Sequence, residues 1–138
     1  MKGRVFIDSN IFLYILDSAN LQKQNQANEF LKKIASSNKI SISTQVLNEV
    51  YAVSTRKLNI EPLLAKDFLR LLNNFDVILI NVEIINSAID CSILNRISYW
   101  DALMVAAAES ARCKCLYTED LKDKGKLRGV TIVNPFIQ

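Results

Sequence analysis

Five short apolar runs, Arg4 to Ile7, Ile40 to Ser43, Val77 to Ile80, Cys115 to Thr118 and Val130 to Val133, punctuate the chain, and helix-length segments separate most of them. Runs this short suit buried strands, and strands that alternate with helices need crossover connections. The pattern therefore predicts an α/β fold: one domain over residues 1–138, with a mainly parallel central sheet of about five short strands flanked by helices.

The helical segments differ in character. Ser9 to Leu16 is apolar almost all round and must be buried or await a partner, whereas Leu21 to Ile34 carries one apolar face, at positions 27, 30, 31 and 34, among lysines and glutamines. Thr44 is the expected cap of a helix running to about Lys57, and Pro62 opens a leucine-rich helix ending at Leu72. Val82 to Leu94 and Ser98 to Arg112 follow, the latter with a purely apolar centre from Ala102 to Ala108.

Composition narrows the chemistry. There is no histidine, which excludes Ser-His-Asp and Cys-His catalysis and any zinc site built on imidazole. Cys91, Cys113 and Cys115 are an odd number, and Cys113-x-Cys115 is too tight for an ordinary disulfide, so reduced packing thiols in the cytoplasm are expected. The apolar run from Ser9 to Leu16 is eight residues long, far below the roughly 20 that span a bilayer. Asp8 follows Lys2 and Arg4, and no small-residue cleavage site comes after, so no secretory signal is expected.

Four acids stand where such a topology can gather them. Ligands of open parallel sheets bind at the carboxyl ends of the strands. Asp8 follows the first strand, Glu49 lies early in the helix after the second, Asp101 opens the helix before the fourth, and Asp120 comes just after the fourth. Each has an ordinary explanation: Asp8 as a helix cap, Asp101 as part of a capping box with Ser98, Asp120 as a turn residue, and Glu49 as a solvated helix border. Gln45 and Glu61 are the neighbouring candidates if the register of Glu49 differs.

Convergence would change that balance. Two carboxylates about 4 Å apart repel by roughly 4 kcal/mol at an effective dielectric of 20, while a helix N-terminus offsets only about 0.3–1 kcal/mol. A hard divalent cation, Mg²⁺ or Mn²⁺, is the natural counter-charge. The sequence pI of about 8.8 and the basic stretch Lys122, Lys124, Lys126, Arg128 add a candidate phosphate-contacting surface for a polyanion. Together these features point to phosphodiester hydrolysis.

The segments "FIDSNIFL", "SYWDALMVAAA", "LYTEDL" and "GVTIVNPF", with a glutamate early in the helix after the second strand, resemble a PIN-domain ribonuclease of the VapC toxin type. The resemblance spans the whole chain. It implies a metal-dependent endoribonuclease whose catalytic and metal-binding acids are Asp8, Glu49, Asp101 and Asp120, with Asn10 and Thr118 as supporting polar residues. It also implies products with a 5′-phosphate and a 3′-hydroxyl, a homodimer and a cognate antitoxin partner. Tyr99 and Trp100 match an aromatic pair expected to pack. Other readings are a PIN nuclease of RNA processing without an antitoxin, a phosphotransfer domain, and a non-catalytic binding module. The phosphatase pattern lacks its second aspartate, because Asn10 stands there.

Overall fold

A computed structural model of the protein describes residues 3–121 and 125–137. The elements are β1 (Gly3–Ile7), α1 (Ser9–Leu16), α2 (Leu21–Ser37), β2 (Asn38–Ser43), α3 (Thr44–Arg56), α4 (Pro62–Leu72), β3 (Asp76–Ile78), α5 (Val82–Asn95), α6 (Tyr99–Ser110), β4 (Cys115–Tyr117), β5 (Lys126–Leu127) and β6 (Val130–Val133). One sheet has the order β3-β2-β1-β4-β6-β5, parallel except for the β5–β6 pair. Because β1 sits at the centre and later strands are added on both sides, β1 and β4 leave the sheet side by side at its carboxyl edge.

The expected strands are present, and the described residues add a sixth. β5 is only two residues long and pairs antiparallel with β6 across a turn at Arg128-Gly129. Both turn residues have positive φ, 54° and 79°, the geometry of a type I′ hairpin turn. Nothing so short carries a periodic signal, and arginine is an uncommon residue at positive φ. The strain at Arg128 is offset by its guanidinium, whose Nη1 donates to Ser87 Oγ at 3.0 Å and Glu109 Oε1 at 3.3 Å while Nη2 donates to the Ser87 carbonyl at 3.2 Å. Those contacts staple the hairpin to α5 and α6.

Burial explains the remaining elements. Val5, Phe6 and Ile7 of β1 are fully enclosed, as suits a central strand covered on both faces. The uninterrupted run Ala102 to Ala108 is buried throughout, so α6 is a core helix with small residues that let the sheet approach closely. α1 resolves its all-apolar character by burying Ile11 and Phe12 completely, each contributing about 1.5–3 kcal/mol and so fixing the chain next to Asp8. Leu63, Leu64 and Leu71 of α4 remain exposed. Cys91, Cys113 and Cys115 are buried free thiols. Among the described residues no helix is long and apolar enough to cross a membrane.

A side chain caps every helix but α4, which begins on Pro62 as expected, and one cap differs from expectation. Ser43, not Thr44, caps α3, accepting from the Val46 N–H at 3.3 Å. Thr44 instead uses its hydroxyl to accept from the Ile80 N–H at 3.2 Å, tying α3 to the segment after β3. Ser98 caps α6 by accepting from the Asp101 N–H, so half of the expected capping box forms.

Candidate active site

Asp8 occupies the carboxyl end of β1, where its own N–H continues the ladder to the Tyr117 carbonyl at 3.0 Å. Its side chain is 4 % exposed. Oδ1 accepts from the Ser9 N–H at 2.6 Å, as a cap of α1, and Oδ2 accepts from the Thr118 hydroxyl at 2.7 Å. The carboxylate therefore caps α1, as expected of the ordinary reading, and also faces β4. Burial, together with the charges of Asp120 and Glu49, outweighs the Thr118 and Ser9 hydrogen bonds and pushes its pKa up to about 7.

Thr118 joins two acids. Its Oγ1 donates to Asp8 and accepts from the Asp120 N–H at 3.1 Å, which fixes the start of the loop carrying Asp120. Asp120 is more open. Partial enclosure of its carboxyl comes first among the causes that raise its pKa, followed by the charges of Asp101, Glu119 and Glu49, against the lowering effect of Asn10. Asn10 Nδ2 donates to Asp120 Oδ2 at 3.3 Å. Asn10 thus supports Asp120 from the first turn of α1.

Glu49 reaches the same edge from the second turn of α3. The Ser9 hydroxyl lies 2.7 Å from Glu49 Oε1 and 3.2 Å from Asp8 Oδ1; it has one proton to give, and the shorter contact is to Glu49. Gln45, one helical turn earlier, donates from Nε2 to Glu49 Oε2 at 3.1 Å and to the Trp100 carbonyl at 3.2 Å. The register of Glu49 is the expected one, and Gln45 is its partner, not its substitute. Glu61 is the exposed residue preceding α4. Asp101 is half-buried at the third position of α6, beside Asp120 electrostatically.

The four acids are thus linked: Asp8 feels Asp120 and Glu49, and Asp120 feels Asp101 and Glu49. Among the described residues, no three acidic side chains are spaced to enclose an ion as they stand. Their donors nevertheless suit a hard cation, since every candidate ligand is a carboxylate oxygen. Asn10 Oδ1 is a buried acceptor without a donor next to Asp120, the kind of atom that a coordinated water satisfies. Burial is the first cause of both raised carboxyl pKa values and the neighbouring carboxylates add to it, so a cation held there would favour the ionised forms.

Other expectations change. Arg128 belongs to the turn before β6, and β6 runs parallel to β4, so its guanidinium lies at the amino end of the sheet, opposite Asp8. With its hydrogen bonds committed to Ser87 and Glu109, the Arg128 guanidinium is not gathered with the acids. Lys126 is exposed on the edge strand, while Lys122 and Lys124 lie outside the described residues. Tyr99 packs against the core, but Trp100 does not: its side chain is 61 % exposed.

Several contributors carried no distinct signal in the sequence. Ser9 bridges two acids, yet in the sequence it is only the first residue of an apolar helix. Glu119 is held by the Tyr14 hydroxyl at 2.6 Å and by Lys23, whose ammonium also lies 4.0 Å from the Phe136 ring centroid, so the residue beside Asp120 is anchored from α1, α2 and the C-terminal segment. An open groove of about 700 Å³ runs from Gln45 and Glu49 along α3 to Arg56, with Trp100 and Leu103 on its other wall.

The sequence model of the PIN domain family matches residues 5–123. No curated protein sequence matches the chain. Among solved structures, a toxin–antitoxin complex from Klebsiella pneumoniae is 20 % identical with a TM-score of 0.72, covering 96 % of this chain and 98 % of that one. VapC20 of Mycobacterium tuberculosis, described as a toxin that cleaves the sarcin–ricin loop, is 17 % identical with a TM-score of 0.69, covering 90 % and 97 %. VapBC2 from Rickettsia felis, bound to a promoter DNA fragment, is 21 % identical with a TM-score of 0.67, covering 95 % and 98 %. With a family match over most of its length and a fold shared along nearly all of it, the chain belongs to the PIN domain family.

Proposed function

We propose that this protein is an endoribonuclease dependent on Mg²⁺ or Mn²⁺, and that it acts in the cytoplasm as the toxin of a toxin–antitoxin pair. The observation that carries the reading is the set of acids at the carboxyl edge, with Asp8 buried, raised to about 7 and coupled to Asp120 and Glu49. Asp8, Asp101 and Asp120, with Glu49 directly or through water, would hold the cation. When bound, the cation supplies the positive charge that lets the acids stay ionised, acidifies water and accepts phosphate oxygens.

The chain's own residues set the frame for that chemistry. Ser9 and Thr118 fix the Asp8 carboxylate, Gln45 fixes Glu49 and Asn10 fixes Asp120, so three acids are oriented by neutral donors that leave their charge available. Hydrolysis adds water across the P–O3′ bond, leaving a 5′-phosphate and a 3′-hydroxyl. The toxin role draws on the named toxins that share the fold, and the exposed leucines of α4 offer an apolar surface for a second copy or an antitoxin.

Asp101→Asn and Asp8→Asn are each expected to lower Mg²⁺-dependent RNA cleavage at least about a hundredfold, with circular dichroism unchanged. Full cleavage by folded Asp101→Asn protein would remove the assignment. Absence of metal binding and of cleavage in the unmodified protein would favour a non-catalytic binding module.

A further inference from the structure

Trp100 stands immediately before Asp101 and exposes 61 % of its side chain, although nearly every residue after Asp101 in α6 is buried. A tryptophan ring joins a large apolar face to a polar N–H, which suits it to a partly wet binding surface. Tyr99 supports it in an edge-to-face contact with ring centroids 5.1 Å apart, and Gln45 holds its backbone carbonyl, so the ring is presented from a fixed base.

The groove that Trp100 lines has a chemical direction. Glu49 is at one end and Arg56 at the other, seven residues on along the same face of α3, a separation of about 10 Å. Arg56 is exposed and makes no hydrogen bond or ion pair among the described residues, so its charge is unspent. One turn before Glu49, on the side away from Arg56, lies an orphaned acceptor. Gln45 is buried, and its amide orientation is fixed because Nε2 donates to two acceptors, which leaves Oε1 enclosed and without a donor behind the groove. An aromatic plane and a free guanidinium along one groove are elements that receive an unpaired nucleotide: its ring stacks and its phosphate meets the cation.

We propose that Trp100 is a base-stacking platform and that the groove from Trp100 to Arg56 binds an unpaired nucleotide of single-stranded RNA adjacent to the bond that is cut. This rests on the reading of the acids as a nuclease site. Duplex RNA cannot use the platform, because its bases are already stacked.

Trp100 is the single tryptophan of the chain, so its emission reports the platform directly. A mixed-sequence oligoribonucleotide titrated into the full protein in EDTA, where metal-dependent cleavage is silent, is expected to quench that emission, and a perfect RNA duplex is not. Trp100→Ala should weaken binding of a labelled oligoribonucleotide about tenfold and raise KM with kcat within about twofold, and Trp100→Phe should restore most of the loss. Arg56→Gln should weaken binding of every sequence alike and reduce the salt slope by about one. Unchanged emission at RNA concentrations that saturate cleavage, equal quenching by duplex, or wild-type KM in Trp100→Ala would overturn the proposal. So would emission that responds to a protein partner and not to RNA. If the protein cleaves no RNA with Mg²⁺ or Mn²⁺, the nuclease reading fails, while quenching in EDTA still decides whether the groove binds single strands.

Discussion

The two ends of the parallel sheet treat charge in opposite ways. At the amino end, charged groups find opposite charges: Arg128 meets Glu109 while bonding Ser87, and Arg4 meets Asp76 at 3.5 Å. At the carboxyl end, Asp8, Glu49 and Asp120 are met by a backbone N–H, hydroxyls and amides, with no Lys or Arg bonded to them among the described residues. Glu119, beside Asp120, does pair with Lys23, so a cation is near enough to have been used. One end lowers its electrostatic energy with opposite charges, and the other meets its acids with neutral donors alone.

The largest effect expected from breaking this contrast is at Asp8. Its folded pKa of about 7 lies above the ordinary 3.8, so between those values the native state holds a proton that the unfolded chain has lost. Stability therefore falls as pH rises from about 4 to 7 and stays reduced above 7, by up to about 4 kcal/mol. Asp8→Asn keeps the shape and removes the charge. Denaturation of the metal-free protein should show the variant more stable at pH 8, with the gain vanishing near pH 4. Added Mn²⁺ should raise the wild-type Tm at pH 8 and leave the variant unmoved; a variant less stable than wild type at pH 8 would contradict the charge imbalance.

Arg128 provides the reverse test. Removing its three guanidinium hydrogen bonds by Arg128→Ala should cost about 1–3 kcal/mol in urea unfolding, since the group is partly buried and bonded to a charged partner. Cleavage and RNA affinity should be unchanged under conditions where the variant is folded, and a lost salt-dependent component of RNA binding would return Arg128 to the RNA surface. Asn10→Ala is a smaller perturbation at the carboxyl end. It should weaken divalent-metal affinity about tenfold, read by calorimetry, with little change in Tm. Smallest of all, Arg4→Ala should shift stability by less than about 0.5 kcal/mol, because both partners of that 3.5 Å pair are well exposed.

Much of the fold was legible because its signals are local. Short apolar runs mark strands, and the Ala102 to Ala108 run marks a helix buried on all sides. β5 was not legible, because a two-residue strand exists only once β6 offers a ladder and Arg128 can reach α5 and α6. The same division runs through the site. Asp8, Glu49, Asp101 and Asp120 could be picked out by their positions after strands and early in helices, but their partners could not. Ser9 reads as the first residue of a helix, and it serves Glu49 from 40 residues away. Asn10 reads as part of the Asp8 triplet, and its amide goes to Asp120, 110 residues on. Trp100 reads as a packing residue next to Tyr99, and only the shape of α3 beside α6 leaves it in water.

What was fixed by the order of residues alone is therefore the kind of fold, the absence of imidazole chemistry and the identity of the acids, since each depends on residue type and on periodicity over a few positions. Which donor holds which acid, which arginine is free and which is spent, and which aromatic ring faces solvent were decided by the tertiary structure. Those properties are sums over neighbours brought together across long stretches of chain, and burial and electrostatics act on distance in space, not on distance along the sequence.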